Sequence, residues 1–257
     1  MISNKYKILD KLSSGNFGVV YKGENIRTNE HVAIKIIKKD DEIVFKNEIL
    51  IYKTISKSTD FAKLKWVTST QDYYIIVLTL LGNTIQLSSK QINNQDFIKK
   101  LSLQIFQKII NLHSYKIIHR DIKTNNFVSS IDNHEIFLID FSFSTFIIDE
   151  CGDFIPNIGI NNIIGSKYFC SLNIHKRNTP SFRDDLESAC YVINDIIWGN
   201  TWKSLKDENE IMFHKENFYN TIQITWLKEL YLIIRNLGYQ QTIMYPEIET
   251  YIISQTT

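Results

Sequence analysis

The sequence predicts an α+β chain, with strands crowded into the part through Leu81 and helices filling most of the remainder. Three observations carry this expectation. Tyr6 to Leu12, Val19 to Glu24 and His31 to Lys38 are short β-rich runs separated by Gly or Asn turns, the pattern of an antiparallel meander. Asp40 and Asp41 then precede Ile43, Phe45, Ile49, Leu50 and Ile55, an apolar series near helical spacing, so one helix interrupts the sheet. Trp66 to Thr70 and Tyr73 to Leu81 return to strand character across a Gln71-Asp72 turn, and Gly82 is where the chain leaves the sheet. Beyond it, Phe97, Leu101, Ile105, Ile109 and Leu112 recur at helical intervals behind Asn93 or Asn94, which predicts a long amphipathic helix with a capping side chain. A shorter helix is expected from Asp184 to Trp198, then a helical region from about Thr221 to Ile253, broken near Gly238 and Pro246.

Composition narrows the class. The 257 residues carry 29 Lys+Arg against 28 Asp+Glu, a net charge of +1 that argues against direct nucleic-acid binding or a membrane-surface role. With 44% hydrophobic and 22% charged residues the chain can bury a sizeable core. Cys151, Cys170 and Cys190 are too scattered for a zinc site or a disulfide framework, so a reducing compartment is expected. Met1 to Lys7 lacks a signal-peptide apolar run. The strongest apolar run, Ile75 to Leu81, falls far short of the roughly 20 residues a membrane span needs. An intracellular, cytoplasmic protein is the expectation. The abundance of Ile, Asn and Lys beside only 3 Pro and 9 Gly points to an AT-rich genome.

Four stretches carry chemistry. Leu12-Ser13-Ser14-Gly15-Asn16-Phe17-Gly18-Val19-Val20 lies between two expected strands, where a glycine-rich hairpin lays backbone N–H groups over phosphates. An ordinary hairpin with turn glycines reads the same, whereas a dinucleotide-binding fingerprint would open a helix here instead of a strand. Val32-Ala33-Ile34-Lys35 puts an ammonium on the third strand, within reach of α- and β-phosphates, and Glu48 on the next helix offers a carboxylate to hold its flexible stem. Ile118-His119-Arg120-Asp121-Ile122-Lys123-Thr124-Asn125-Asn126 comes directly after the long helix, and Leu138-Ile139-Asp140-Phe141 is a strand running into Asp-Phe.

In this order and spacing the elements resemble the protein-kinase family. The resemblance implies a bilobal kinase fold forming a single domain over residues 1–257, with a small β-rich N-lobe of about 1–81 and a larger helical C-lobe of about 82–257. It implies ATP and Mg²⁺ as cofactors, protein substrates and a monomer. Asp121 resembles the base that accepts the substrate hydroxyl proton, Lys123 the donor to the γ-phosphoryl group, and Asn126 and Asp140 the metal ligands. Ser13, Ser14, Gly15, Asn16, Phe17 and Gly18 take the place of the phosphate loop. Val20 and Ala33 resemble the upper wall of the adenine site, Val128 its floor, Leu78 the residue guarding its back, and Thr79 to Leu81 the hinge. For any one of these apolar residues taken alone, plain core packing is the better account of its presence. Lys123 in the loop marks Ser/Thr kinases, so a serine/threonine-protein kinase is expected.

A narrower likeness rests on the absence of Ala-Pro-Glu and on two further stretches. Gly165-Ser166-Lys167-Tyr168-Phe169-Cys170-Ser171-Leu172-Asn173-Ile174-His175 and Arg183-Asp184-Asp185-Leu186-Glu187-Ser188 resemble the casein kinase 1 group and, within it, the vaccinia-related kinases. Leu80-Leu81-Gly82 and Tyr52, four residues after Glu48, fit that group. By this likeness Asp185 braces the catalytic-loop backbone, Ser166 lies near Asp121 and Lys123, and no activating phosphorylation is required. The compact chain and its composition suggest a viral kinase. Departures are Ser13 for the first loop glycine and Ser142 for the glycine after Asp140-Phe141, which removes cheap access to φ > 0. Tyr168 replaces an Arg, and Asp207, Glu208 and Glu210 replace a basic stretch that reads phosphorylated substrates, with Lys167, Lys176 and Arg177 as partial substitutes. These departures motivate an alternative, a pseudokinase serving as a nucleotide-binding scaffold. Retention of Lys35, Asp121 and Asp140 favours the active enzyme. A small-molecule phosphotransferase would leave Gly165 to His175 unexplained.

Overall fold

Alternating apolar residues build the first elements of the computed structural model, which describes Ile2 and residues 4–254. Strands β1 (Tyr6–Gly15), β2 (Gly18–Asn25) and β3 (His31–Lys38) lead into helix α1 (Glu42–Thr54), and β4 (Leu64–Ser69) and β5 (Tyr73–Thr79) come next. The chain continues through α2 (Ser89–Ile92), α3 (Gln95–Ser114), β6 (Ile117–Ile118), β7 (Phe127–Ser129), β8 (Ile136–Leu138) and β9 (Thr145–Phe146). The rest is helical: α4 (Leu172–His175), α5 (Phe182–Trp198), α6 (Glu208–Glu216), α7 (Phe218–Thr221), α8 (Thr225–Arg235) and α9 (Tyr245–Ser254). The result is the α+β fold expected from the sequence, with a five-stranded antiparallel sheet in the N-terminal part and a helical C-terminal part. Two compact units divide the chain: Met1–Asn83 with Val128–Ser144, and Thr84–Phe127 with Thr145–Thr257.

In the first unit the sheet order is β1-β2-β3-β5-β4. Strand periodicity sorts β3 cleanly: Val32 and Ile34 join Tyr6, Ile75 and Val77 in one apolar cluster, while Ala33 and Lys35 point to the other face opposite Leu78 and Ile76. Helix α1 buries Phe45, Glu48, Ile51 and Tyr52, and the Phe45 ring stacks on Tyr74 with centroids 4.0 Å apart. Strand β1 runs past Leu12 to Gly15 because two register shifts let it keep pairing with β2, and β5 ends at Thr79.

In the second unit Asn94 caps α3 by accepting from the Phe97 N–H at 3.0 Å, which relieves an orphan donor of the first turn. Asn93 instead ends the short helix α2, whose Ser88 and Gln91 form a capping box. Helix α3 packs on α5 and α9, and α5 on α8, so Ile105, Ile109, Leu112, Leu186, Ala189, Val192, Leu227 and Leu230 are buried in this unit. The C-terminal region breaks between α8 and α9 across Gly238, and Pro246 sits in the first turn of α9, where its missing N–H costs nothing. Helix α6 has no counterpart in the sequence expectation. Among the described residues no helix is long and apolar enough to cross a membrane. Leu186 is fully buried, and Leu186→Ala is expected to destabilise the fold by about 2–5 kcal/mol, read from the shift of a urea unfolding midpoint at constant slope.

Candidate active site

The site residues fall into two constellations, one in each unit. In the first, strand register places Val20 and Lys35 opposite each other, Lys35 opposite Ile76 and Ala33 opposite Leu78, so Val20, Ala33, Lys35 and Leu78 share a sheet face. Thr79 pairs with Val32 on the other face, and its hydroxyl accepts from the Lys63 N–H at 3.3 Å. Leu81 is half-buried beyond the strand, and Val128 is buried on β7. Ser13, Ser14, Gly15 and Asn16 are exposed around a tight hairpin that pairs Gly15 with Gly18. A Cβ on Gly18 would fall 2.3 Å from the Ile36 carbonyl oxygen, so only glycine fits there. At the hairpin tip the Phe17 ring meets Phe143 edge to face, with centroids 4.9 Å apart.

Lys35 is the centre of this constellation. Four oxygens crowd its Nζ: Glu48 Oε1 and Oε2 at 2.8 Å each, Asp140 Oδ1 at 2.7 Å and Ser142 Oγ at 2.6 Å. Burial works against the ammonium, but the charges of Glu48 and Asp140 overcome it and hold the Lys35 pKa above the ordinary lysine range. Asp140 adopts φ 68°, a left-handed conformation uncommon outside glycine. Its neighbour fixes it there: Phe141 is fully buried, edge-on to Tyr52 at 5.1 Å and to Phe61 at 5.8 Å. Ser142 takes no positive φ, so the glycine it replaces is not missed for backbone reasons. Its hydroxyl instead lies 2.7 Å from Asp140 Oδ1 and 3.1 Å from Glu48 Oε2. The residue before Glu48 adds a further tie, Asn47 Nδ2 donating to the Ser144 carbonyl at 2.7 Å.

The second constellation surrounds the loop after β6. Asp121 is buried, with Oδ1 accepting from the Ser166 N–H at 2.9 Å and Oδ2 from Lys123 Nζ at 2.6 Å. Asn126 Nδ2 donates to the Asp121 carbonyl at 2.8 Å. From α5, Asp185 accepts the backbone N–H groups of His119 at 2.7 Å and Arg120 at 2.9 Å, with His113 Nε2 3.0 Å away. Burial raises the Asp185 pKa, but the His113 hydrogen bond and nearby charges outweigh it and hold the carboxyl below the usual range. Arg120 stands at φ 65°, and Gly165 at φ 78° presses against it so closely that a Cβ would fall 2.2 Å from the Arg120 carbonyl oxygen. Thr124 donates to Asp195 Oδ2 at 2.7 Å, anchoring the far side of the loop.

Several residues that hold this region were not singled out from the sequence. His113 and Asp195 are two; Glu187 is a third. Its Oε1 accepts from the Leu172 N–H at 2.8 Å and the Tyr191 hydroxyl at 2.7 Å, and its Oε2 accepts from Arg235 at 2.7 Å. Lys215 is fully buried and donates to the carbonyls of Lys167 at 2.9 Å and Cys170 at 2.6 Å and to His175 Nε2 at 3.1 Å. The cations proposed as substitutes for a substrate-reading stretch have internal partners. Lys167 donates to the Lys206 carbonyl, Lys176 pairs with Glu216, and Arg177 grips Glu208 through two bonds.

A family model described as the protein kinase domain matches residues 6–241, and the chain belongs to the protein kinase family. The family's chemistry is phosphotransfer from ATP, with a divalent metal, to protein substrates.

The second constellation leads to two expected outcomes. Asp185→Asn leaves one oxygen where two served three neighbours, and it is expected to cost about 2–4 kcal/mol of stability in urea unfolding. Burial first, and then the Lys215 charge, push the His175 pKa down to about 4, so the folded state keeps the ring neutral while the unfolded chain protonates nearer 6.5. The unfolded state therefore binds more protons between those values, and stability falls as pH drops from about 6.5 to about 4. His175→Gln is expected to flatten that part of a stability–pH curve.

Proposed function

We propose that this chain is an active serine/threonine-protein kinase that transfers the γ-phosphoryl group of Mg-ATP to protein Ser or Thr hydroxyls. The observation that carries the proposal is the buried Lys35 ammonium held by Glu48 on one side and touching Asp140 on the other, with Phe141 anchored beneath α1. In the transfer, the substrate hydroxyl oxygen bonds to the γ-phosphorus as the bond to the β–γ bridging oxygen breaks, and ADP leaves. Lys35 holds the α- and β-phosphates, Asp121 orients the hydroxyl and takes its proton, and Lys123, bonded to Asp121, balances charge on the moving phosphoryl group.

The donor chemistry fits a hard cation. Asp140 offers a carboxylate with a third of its side chain exposed, and Asn126, its amide nitrogen committed to Asp121, is left with a carbonyl oxygen to offer. When bound, the metal neutralises charge on the phosphates.

Within the family, we place the chain in the casein kinase 1 group, nearest the vaccinia-related branch. Support comes from the Gly165-Ser166 contact with Arg120 and Asp121 and from Glu187, which joins the start of α4 to α8 in a chain without Ala-Pro-Glu. The internal partners of Lys167, Lys176 and Arg177 argue against a preference for phosphorylated substrates.

The test is transfer of radiolabelled γ-phosphate to casein and to a basic protein. Asp140→Asn and Lys35→Met are each expected to lower the rate at least about a hundredfold with the fold intact. Full transfer by Asp140→Asn would sink the metal-ligand assignment. Wild-type protein that binds Mg-ATP without transferring phosphate would replace the enzyme with the scaffold reading.

A further inference from the structure

Ser142 puts a hydroxyl into the middle of the Lys35, Glu48 and Asp140 cluster, where a glycine would leave a gap. The side chain is buried, so its bonds are not shared with bulk water. A hydroxyl has one proton and must choose an acceptor. The 2.7 Å approach to Asp140 Oδ1 is the ordinary length of an O–H···O bond, whereas 3.1 Å to Glu48 Oε2 is long. The proton therefore goes to Asp140, and the Oγ lone pair accepts from Lys35 at 2.6 Å, a charge-assisted bond.

We infer that Ser142 is a positioning residue whose hydroxyl fixes the Asp140 carboxylate in its metal-receiving orientation and ties the Asp140-Phe141-Ser142 segment to the Lys35–Glu48 pair. The inference rests on the kinase reading of Asp140. Its physical content is that Asp140 keeps a fixed donor when the Lys35 ammonium turns toward nucleotide phosphates. Turning Asp140 away from Lys35 would break the 2.7 Å bond from the buried Ser142 hydroxyl and leave its proton only the longer 3.1 Å approach to Glu48, which opposes an inactive arrangement of the segment.

A rival account lets Ser142 act through its backbone alone, by narrowing the φ range that glycine allows. Ser142→Ala and Ser142→Gly separate the two, since alanine keeps the narrowed backbone and lacks the hydroxyl. Two readouts apply, neither needing turnover: amide hydrogen exchange across residues 140–146 in protein free of nucleotide and metal, and the Mg²⁺ concentration that half-saturates ADP binding in calorimetry. Both variants are expected to exchange faster in that segment and to need about tenfold more Mg²⁺, with ADP affinity in the absence of metal unchanged. An alanine variant matching wild type in either readout overturns the inference, and a defect confined to Ser142→Gly assigns the effect to the backbone. A wild-type protein without transfer activity would remove the enzyme reading, while these two readouts would still decide the role of the hydroxyl.

Discussion

The second unit depends on three carboxylates buried in the first turns of α5. Asp184 and Asp185 lie in the first turn, where unpaired N–H groups and the helix dipole favour negative charge, and Glu187 follows in the next turn. Each holds a different piece of chain. Asp184 closes the capping box with Ser181 and accepts from Ser171, the cap of α4. Asp185 gathers the backbone of the catalytic-type loop, and Glu187 spans from α4 to α8. Burial raises Asp184 to about 6 in spite of its hydroxyl and backbone donors, whereas Asp185, with His113 beside it, is held low. The same segment thus carries one reluctant anion and one firm one, and the firm one faces the loop that bears Asp121.

Two buried lysines show how the partner decides the state of the charge. Lys35 faces carboxylates and is held above its ordinary range. Lys215 faces carbonyl oxygens and a neutral imidazole, and burial lowers it to about 8. Both are fully bonded, but only the first is fixed by opposite charge. Lys215 therefore fastens the turn before α4 by geometry more than by Coulomb attraction.

Much of this was legible in the sequence because it is local. Alternation exposed the strands, spacing exposed α3 and its Asn94 cap, and the Lys35–Glu48 pairing follows from a lysine needing a partner on the next element. What escaped was non-local or looked wrong by type. Helix α6 buries only Ile211 and Lys215, so its inner face reads as polar and gives no apolar period. The partners of Lys167, Lys176 and Arg177 come from distant positions that composition cannot pair. At Ser142 the sequence tells what backbone freedom is lost, but the hydroxyl's neighbours depend on how α1 and the segment after β8 are packed together.

The Lys35 ammonium carries three protons, yet four oxygens stand within 2.8 Å of it. One acceptor is always in surplus. Letting go of one oxygen therefore leaves every N–H bonded, and an arriving anionic oxygen can be exchanged for a carboxylate without passing through an orphaned donor. The crowding is a small, built-in frustration, and it makes the buried cation easy to hand over while keeping it hard to neutralise.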